Sequence, residues 1–452
     1  EIIDFASIET GAIDEATRIT IKDAERILED ILDLSDKERN FNNTLLPLDN
    51  LYNNISKVWN IIELLSSAHP SQLIRDEANK NDLIIQEYMI DLSLNEYLYK
   101  ALLKYSKSKE TQILSKARKY FLETELGYLK RNGIGLEIKQ RERLKEIQGH
   151  LSELEIEFMN NISSHNDTIF ISEKLTGGLP EDYKKERLFS EGVYAIDLSY
   201  PSVDSFLRYS ESDSLRKLLR CRYLNIGSDE NLSILNEIIV NRNELSSLLG
   251  YPTYTAYMIE DAMARTPASV WEFENNLFNK IQSKANKDTE EMLQMKQSLR
   301  GEYEKIVYDW EKHFYENQLL IKKYNVNSKI VSEYFEVNNV ISGFFTITEL
   351  LFKVRYNKII NPSVWHEDVT MYEIIDKEND DLILATFQCN KAKELDKTVE
   401  LTVEQLIHSI RMTKMDDKQK SLFLDKTFDK AIKSLKEKYG ADSNGWIYGQ
   451  NN

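Results

Sequence analysis

Apolar residues recur at intervals of three and four along most of residues 15–160, and the same spacing returns over residues 228–249. That period matches one face of an α-helix, and a chain carrying it so persistently folds as packed amphipathic helices. In the second segment Leu232, Leu235, Ile239, Arg242, Leu245 and Leu249 form the expected stripe. Asp229 and Glu230 stand in the first turn, where the positive end of a helix favours carboxylates, and Gly250 followed by Pro252 marks the stop. Strand-like segments are few: 168–171, 194–200, and a hairpin of 369–375 with 382–389 around the polar loop 376–381. The sequence therefore predicts a mainly α chain with a small β insertion, without internal repeats of solenoid period.

The 452 residues include only 7 prolines and 15 glycines, with 41% hydrophobic side chains, which describes a folded chain rather than a disordered or collagen-like one. Acidic residues outnumber basic ones by 75 to 58, a formal charge of −17. A protein that binds nucleic acid by neutralising phosphates needs a concentrated basic surface, so no direct nucleic-acid binding is expected. Two cysteines, Cys221 and Cys389, lie far apart and outside any CxxC spacing, so neither a disulfide framework nor a cysteine zinc site is written here. No stretch approaches the roughly 18 to 20 apolar residues of a membrane span. The chain begins at Glu1 rather than Met, which fits removal of a leader and fits equally a sequence that starts part-way along a longer chain.

From residue 131 the order of landmarks becomes distinctive. Arg131-Asn132-Gly133-Ile134-Gly135-Leu136 is followed by a helix ending in Glu157-Phe158-Met159-Asn160-Asn161-Ile162, then Leu179-Pro180 and Tyr200-Pro201. Asn241-Arg242-Asn243-Glu244-Leu245 runs into Leu248-Leu249-Gly250-Tyr251, and Asp261-Ala262-Met263-Ala264 comes next. Asp309-Trp310, Phe314-Tyr315, Glu333-Tyr334-Phe335, Leu350-Leu351-Phe352 and Val364-Trp365-His366-Glu367-Asp368-Val369 complete the series. The succession resembles the thimet oligopeptidase family of zinc peptidases, most closely its mitochondrial intermediate peptidase branch. The resemblance implies a mainly α, two-lobed, neurolysin-like helical fold with a small β hairpin and a channel between the lobes.

Active relatives of this kind hold zinc on a helix carrying His-Glu-x-x-His, because positions i and i+4 place two imidazoles on one face and the Glu polarises the attacking water. The six histidines here are His69, His150, His165, His313, His366 and His408, and no two lie within four residues. Laid on the family motif by its trailing His408-Ser409, the segment from Val399 to Ile410 places Leu401 at the first zinc position, Thr402 at the catalytic Glu position and Gln405 at the second zinc position. Glu404 cannot replace the lost carboxylate, since two residues along a helix turn a side chain about 200 degrees away. The expectation is a degenerate site with no catalytic residue, no metal and no cofactor. Should that segment not be the zinc helix, the catalytic half lies past the chain's end.

By the same resemblance, residues 15–412 form a truncated oligopeptidase-like region, with N-terminal helices at 15–160 and the remnant of the peptidase lobes at 161–412, including the altered zinc helix at 399–412. Residues 413–452 read as a divergent helix and tail, with the C-terminal part of the catalytic lobe missing. Asp425 and Asp429 read as solvated residues of that helix. A shortened lobe leaves apolar surface bare, and such surface favours a partner. The expectation is thus a non-catalytic subunit, structural or assembly-related, of a stable complex on the matrix side of mitochondria: respiratory chain, ATP synthase or mitoribosome. Two alternatives stay open, a peptide-binding regulatory pseudopeptidase and a zinc peptidase completed by a longer or second chain. Elsewhere His366-Glu367-Asp368 reads as a strand lead-in, His313 beside Asp309 and Glu311 as an exposed salt-linked residue, and Trp271, Trp310 and Trp365 as core anchors.

Overall fold

The computed structural model describes residues 4–377 and the backbone of strand 383–390. Its helices are α1 (Ala12–Asp33), α2 (Leu46–Ala68), α3 (Gln72–Ser93), α4 (Glu96–Tyr105), α5 (Lys109–Ile113), α6 (Lys116–Arg131) and α7 (Ile138–Ser163). After β1 (Thr168–Ser172), α8 (Glu181–Glu186), β2 (Leu188–Ser190) and β3 (Val193–Asp197) come α9 (Tyr200–Tyr209), α10 (Asp213–Leu224), α11 (Ser228–Leu248) and α12 (Tyr254–Ile259). The chain continues through α13 (Pro267–Arg300), α14 (Lys312–Lys322), α15 (Ser328–Ser332), α16 (Val337–Phe352), β4 (Val354–Lys358), β5 (Val369–Asp376) and β6 (Ile383–Asn390). Among the described residues two compact units result, one spanning Ile8–Leu319 and the other containing 4–7, 320–377 and strand 383–390. Among the described residues no helix is long and apolar enough to cross a membrane.

In the larger unit α1, α2 and α3 pack through Ile31, Leu48, Leu51, Ile55, Ile62 and Ile85, all buried. Each such side chain contributes about 1.5–3 kcal/mol by leaving water. Both ends of α1 are finished by side chains from elsewhere. Glu77 of α3 accepts hydrogen bonds from the backbone N–H groups of Gly11 (2.8 Å), Ile13 (3.0 Å) and Asp14 (3.0 Å). At the other end the Arg39 guanidinium donates to the carbonyls of Ile31 (2.6 Å) and Leu34 (2.8 Å). These are the groups a helix cannot satisfy internally. Glu77→Ala is expected to lower unfolding free energy by about 2 kcal/mol, since three charge-assisted bonds at a buried cap are lost. Urea denaturation measures it, and a loss below about 0.5 kcal/mol would show that water replaces the carboxylate.

A second core joins β1 and β3 to α8, α9 and α10 through Ile169, Ile171, Tyr183, Ile196, Phe206 and Leu219. The sheet is antiparallel in the order β1-β3-β2, with Ile169 opposite Ile196. The expected strand 194–200 ends sooner, at Asp197, because Pro201 sits in the first turn of α9, where its missing N–H costs nothing. β2 was not anticipated: its three residues are exposed and show no alternation.

The third core, between α7 and α11, corrects the predicted stripe. Leu144, Ile147, Leu151 and Leu154 of α7 meet Ile234, Ile238 and Leu245 of α11. Of the six predicted positions only Leu245 is buried, while Leu232 is 69% exposed and Leu235 and Ile239 also face outward. α11 carries apolar residues on two faces, and a polar residue settles its rotation. Asn231, buried, donates to the Phe158 carbonyl at 3.0 Å and accepts from the Asn161 side chain at 3.0 Å. A buried amide with both groups paired fixes orientation where hydrophobicity alone is ambiguous.

In the smaller unit the antiparallel sheet β4-β5-β6 contains the expected hairpin, one residue longer on β5 and shifted by one on β6. α16 packs on it through Phe345, whose ring stacks on Tyr356 at 4.2 Å and meets Tyr372 edge-on at 4.8 Å. The chain's start is tied to the same unit: Phe5 packs edge-on against Trp365 at 5.1 Å, and the Ala6 N–H donates to Ser363 Oγ at 2.8 Å.

Candidate functional site

The positions assigned to the altered zinc helix, Leu401, Thr402 and Gln405, lie outside the described residues, as do His408, Asp425 and Asp429. Among the described residues no group of three or more His, Cys, Asp or Glu could hold a metal ion. His366 Nδ1 stands 3.5 Å from Asp368 Oδ2 and accepts from the Asp368 N–H at 3.2 Å, immediately before β5, which is the strand lead-in. His313 is half-buried, and its acidic neighbour is Asp204 of α9 at 3.7 Å, in place of Asp309 or Glu311. Cys221 is a free, exposed thiol.

The landmark residues instead converge where α6 ends. Arg131 pairs with Asp261 through Nη1, its guanidinium lies 5.3 Å from the centre of the Tyr257 ring, and Nε is 4.0 Å from Glu260. Glu260 in turn accepts from the Tyr251 hydroxyl at 2.5 Å, and the Tyr257 hydroxyl donates to Asn132 Oδ1 at 3.2 Å. Gly133 permits the close approach: at φ +92°, a Cβ there would lie 2.7 Å from Leu144 Cδ2 and 2.9 Å from Leu249 Cδ2. Three separated landmarks, 131–136, 248–251 and 261–264, thus meet in one junction. Tyr257 and Glu260 belong to it too, and no spacing in the sequence announced them.

Burial, then the hydrogen bond to Glu260, pushes the Tyr251 phenol up to about 12. It therefore keeps its proton at neutral pH and serves as a donor. With its guanidinium committed to Asp261 and its carboxylates to Arg131 and Tyr251, the junction holds two chain segments together and offers no group poised to activate water. The neighbouring seam has the same character. Arg143 of α7 forms a two-pronged pair with Glu244 of α11 at 2.7 and 3.0 Å, and Arg242 meets Glu155 at 2.7 Å. The Asn241–Leu245 landmark is therefore a helix-to-helix fastening.

The tryptophans divide. Trp310 stacks on Tyr308 at 4.5 Å and donates to Asp213 at 3.1 Å, and Trp365 packs on Phe5. Trp271 is no core anchor: it is 67% exposed, as are Phe273 and Phe278 to similar degrees, because α13 buries only Lys296 among its residues.

Residues 21–141 match the sequence model of the neurolysin/thimet oligopeptidase N-terminal domain, and residues 206–399 that of peptidase family M3. Arg131 and Asn132 fall in the first match and Tyr251, Tyr257, Glu260 and Asp261 in the second, so the junction fastens the two together. The chain is 27% identical over 375 residues to a thimet-like oligopeptidase of Dictyostelium discoideum, covering 80% of this chain and 55% of that protein. It is 28% identical over 396 residues to an oligopeptidase A of Haemophilus influenzae, covering 84% and 57%. With a mitochondrial intermediate peptidase of Yarrowia lipolytica it shares 26% over 377 residues, covering 82% and 48%. The chain thus spans about half the length of the curated relatives it matches.

These matches correct the expectation of a structural subunit in a respiratory-chain, ATP synthase or mitoribosomal assembly. The relatives are named as peptidases, and bare apolar surface, the physical motive for that expectation, identifies neither a complex nor a neighbouring subunit. Two domain models matched in order, joined by a junction built from their own landmark residues, place the chain in the thimet oligopeptidase family of peptidases.

Proposed function

We propose that this chain serves peptide hydrolysis of the oligopeptidase type by supplying its non-metal-binding part, and that its 452 residues cleave no peptide unaided. The carrying observation is the pairing of an ordered two-domain family match with a sequence in which no two histidines lie within four residues. Zinc takes imidazole, thiolate or carboxylate ligands. Leu401 offers no donor, and Thr402 and Gln405 offer a neutral hydroxyl and amide, so this donor set does not fit the ion and no hydrolytic step is routed through it. The name of the Yarrowia relative supports a mitochondrial location, and the matrix side goes with it in this reading.

An internally quenched octapeptide incubated with the chain and zinc tests the proposal. The expected rate equals that of buffer and is unchanged by chelator. A fusion of residues 1–399 to the part of the Dictyostelium oligopeptidase that follows its matched region is expected to gain chelator-sensitive cleavage, about 10⁶-fold or more over the uncatalysed reaction. Chelator-sensitive turnover by the chain alone overturns its non-hydrolytic character. A fusion that folds cooperatively and binds zinc yet leaves the peptide intact overturns the assignment to peptide hydrolysis.

A further inference from the structure

We propose that the first half of α13 is a self-pairing surface, on which a second copy of this chain docks antiparallel about a two-fold axis. Every residue from Trp271 to Ile281 is exposed, whereas the far end of α13 is anchored by buried Lys296. A helix draws most of its stability from packing an apolar face, yet this stretch stands in solvent. At 3.6 residues per turn Leu277 and Ile281 fall at the centre of the face, with Phe273 on one flank and Trp271 and Phe278 on the other, together about 160 degrees of the circumference. At roughly 150–250 Å² apiece, the three aromatic rings leave on the order of 300–450 Å² bare. With Leu277, Ile281 and the aliphatic stems of the neighbouring lysines, the face approaches the roughly 800 Å² that each partner contributes to a stable interface.

Bare apolar surface alone names no partner; here the charges do. Val270, Glu274, Leu277, Ile281, Lys284 and Asp288 follow one another at alternating intervals of four and three, the spacing of two helices that wrap on each other. With a second copy set antiparallel about an axis level with residue 279, Leu277 meets the Ile281 of that copy and Ile281 meets its Leu277. Glu274 then faces Lys284 and Lys284 faces Glu274, so an ion pair closes each end of the apolar layers, and the two Phe278 rings meet beside the axis. Parallel helices would instead set Glu274 on Glu274 and Lys284 on Lys284, a like-charge arrangement that selects against them. Lys284 Nζ lies 2.5 Å from Asp288 Oδ2 with its side chain 80% exposed, which keeps an ammonium with three donors on this face. Lys280, on the flank, meets its own copy, and that contact weakens the pair.

Sedimentation velocity of the full chain tests the pairing, and a reversible dimer with Kd of about 10 μM is expected. Phe278→Glu, at an exposed position, is expected to weaken association at least about twentyfold with the helical circular dichroism unchanged. Glu274→Lys and Lys284→Glu each set like charges together at both ends and are expected to weaken it about tenfold, while the double exchange returns to within about threefold of the native chain. Lys280→Ala is expected to tighten the dimer about twofold. A chain still monomeric at about twentyfold above that Kd, a dimer indifferent to Phe278→Glu or to the single charge reversals, or a double exchange as weak as either single change would each overturn the proposal. None of these outcomes bears on whether the fusion cleaves peptide.

Discussion

Lys296→Met is expected to lower the unfolding free energy by about 3–5 kcal/mol, the cost of leaving a buried carboxylate without its counter-charge. Lys296 Nζ lies 2.8 Å from Glu311 Oε2 and 2.9 Å from Glu304 Oε2, and it donates to the Ile306 carbonyl at 2.9 Å. Lys296 and Glu311 are both almost wholly buried, and Glu311 also accepts from the Tyr308 N–H at 2.8 Å. The ammonium thereby pins the segment after α13 back onto that helix. Without it, one backbone N–H is left to support a charge sealed from water. The double variant Lys296→Met, Glu311→Gln removes both charges and is expected to recover more than half of the loss. Urea denaturation of the two single variants and the double variant supplies the coupling energy; a loss below about 1 kcal/mol in Lys296→Met would mean that solvent reaches Glu311.

The same pair has a pH signature. Burial pushes the Lys296 ammonium down, but its hydrogen bonds to Glu311 and Glu304 outweigh that and hold it above the ordinary lysine value. A base whose value is raised on folding contributes fully below its unfolded value and loses that contribution as pH climbs through the folded one. The stability difference between native chain and Lys296→Met is therefore expected to stay level from about pH 6 to 9 and to narrow above about pH 10.5.

Glycine to alanine is expected to act with opposite sign at Gly178 and at Gly149. Gly178 sits at φ +82°, and a Cβ built there would lie 2.2 Å from the Tyr209 carbonyl oxygen. That neighbour is backbone at the end of α9, where the Glu211 N–H also donates to the Gly177 carbonyl at 2.9 Å, so relief requires the whole loop to move. The left-handed conformation alone costs alanine about 1–2 kcal/mol, and with the clash the expected loss is about 3–5 kcal/mol. Gly149 lies inside α7 with nothing within 4 Å of its would-be Cβ. Alanine there is expected to add about 0.5–1 kcal/mol through helix propensity and a less flexible unfolded chain. Thermal and urea unfolding of both variants checks the pair, and an equal effect at the two positions would sink the steric account of Gly178.

Much of the architecture was legible because hydrophobic period is a local property. The helices of residues 15–160, the strand at 168–171 and the hairpin at 369–376 and 383–390 all follow from it. What failed was the choice of face. α11 offers Leu232, Leu235 and Ile239 on one side and Ile234, Ile238 and Leu245 on another, and only the fit of Asn231 against Phe158 and Asn161 decides between them. Trp271 was misread for a related reason: an aromatic on an amphipathic helix is a core anchor only where another element packs on it.

The candidate site divides in the same way. Its landmark residues were visible as a series, since each short run survives in the chain's order, and so was the family resemblance. That Arg131 would hold Asp261, that Tyr251 and Glu260 would join them, and that Lys296 would be sealed against Glu311 could not be read from spacing, because these partners lie 9 to 130 residues apart. The amino-acid order by itself determined the helical character and the family resemblance, both of which depend on residue type and short-range period. Only the tertiary structure decided which faces meet, which charges are buried and which polar atoms are left open, because those outcomes depend on close packing between segments remote in the chain.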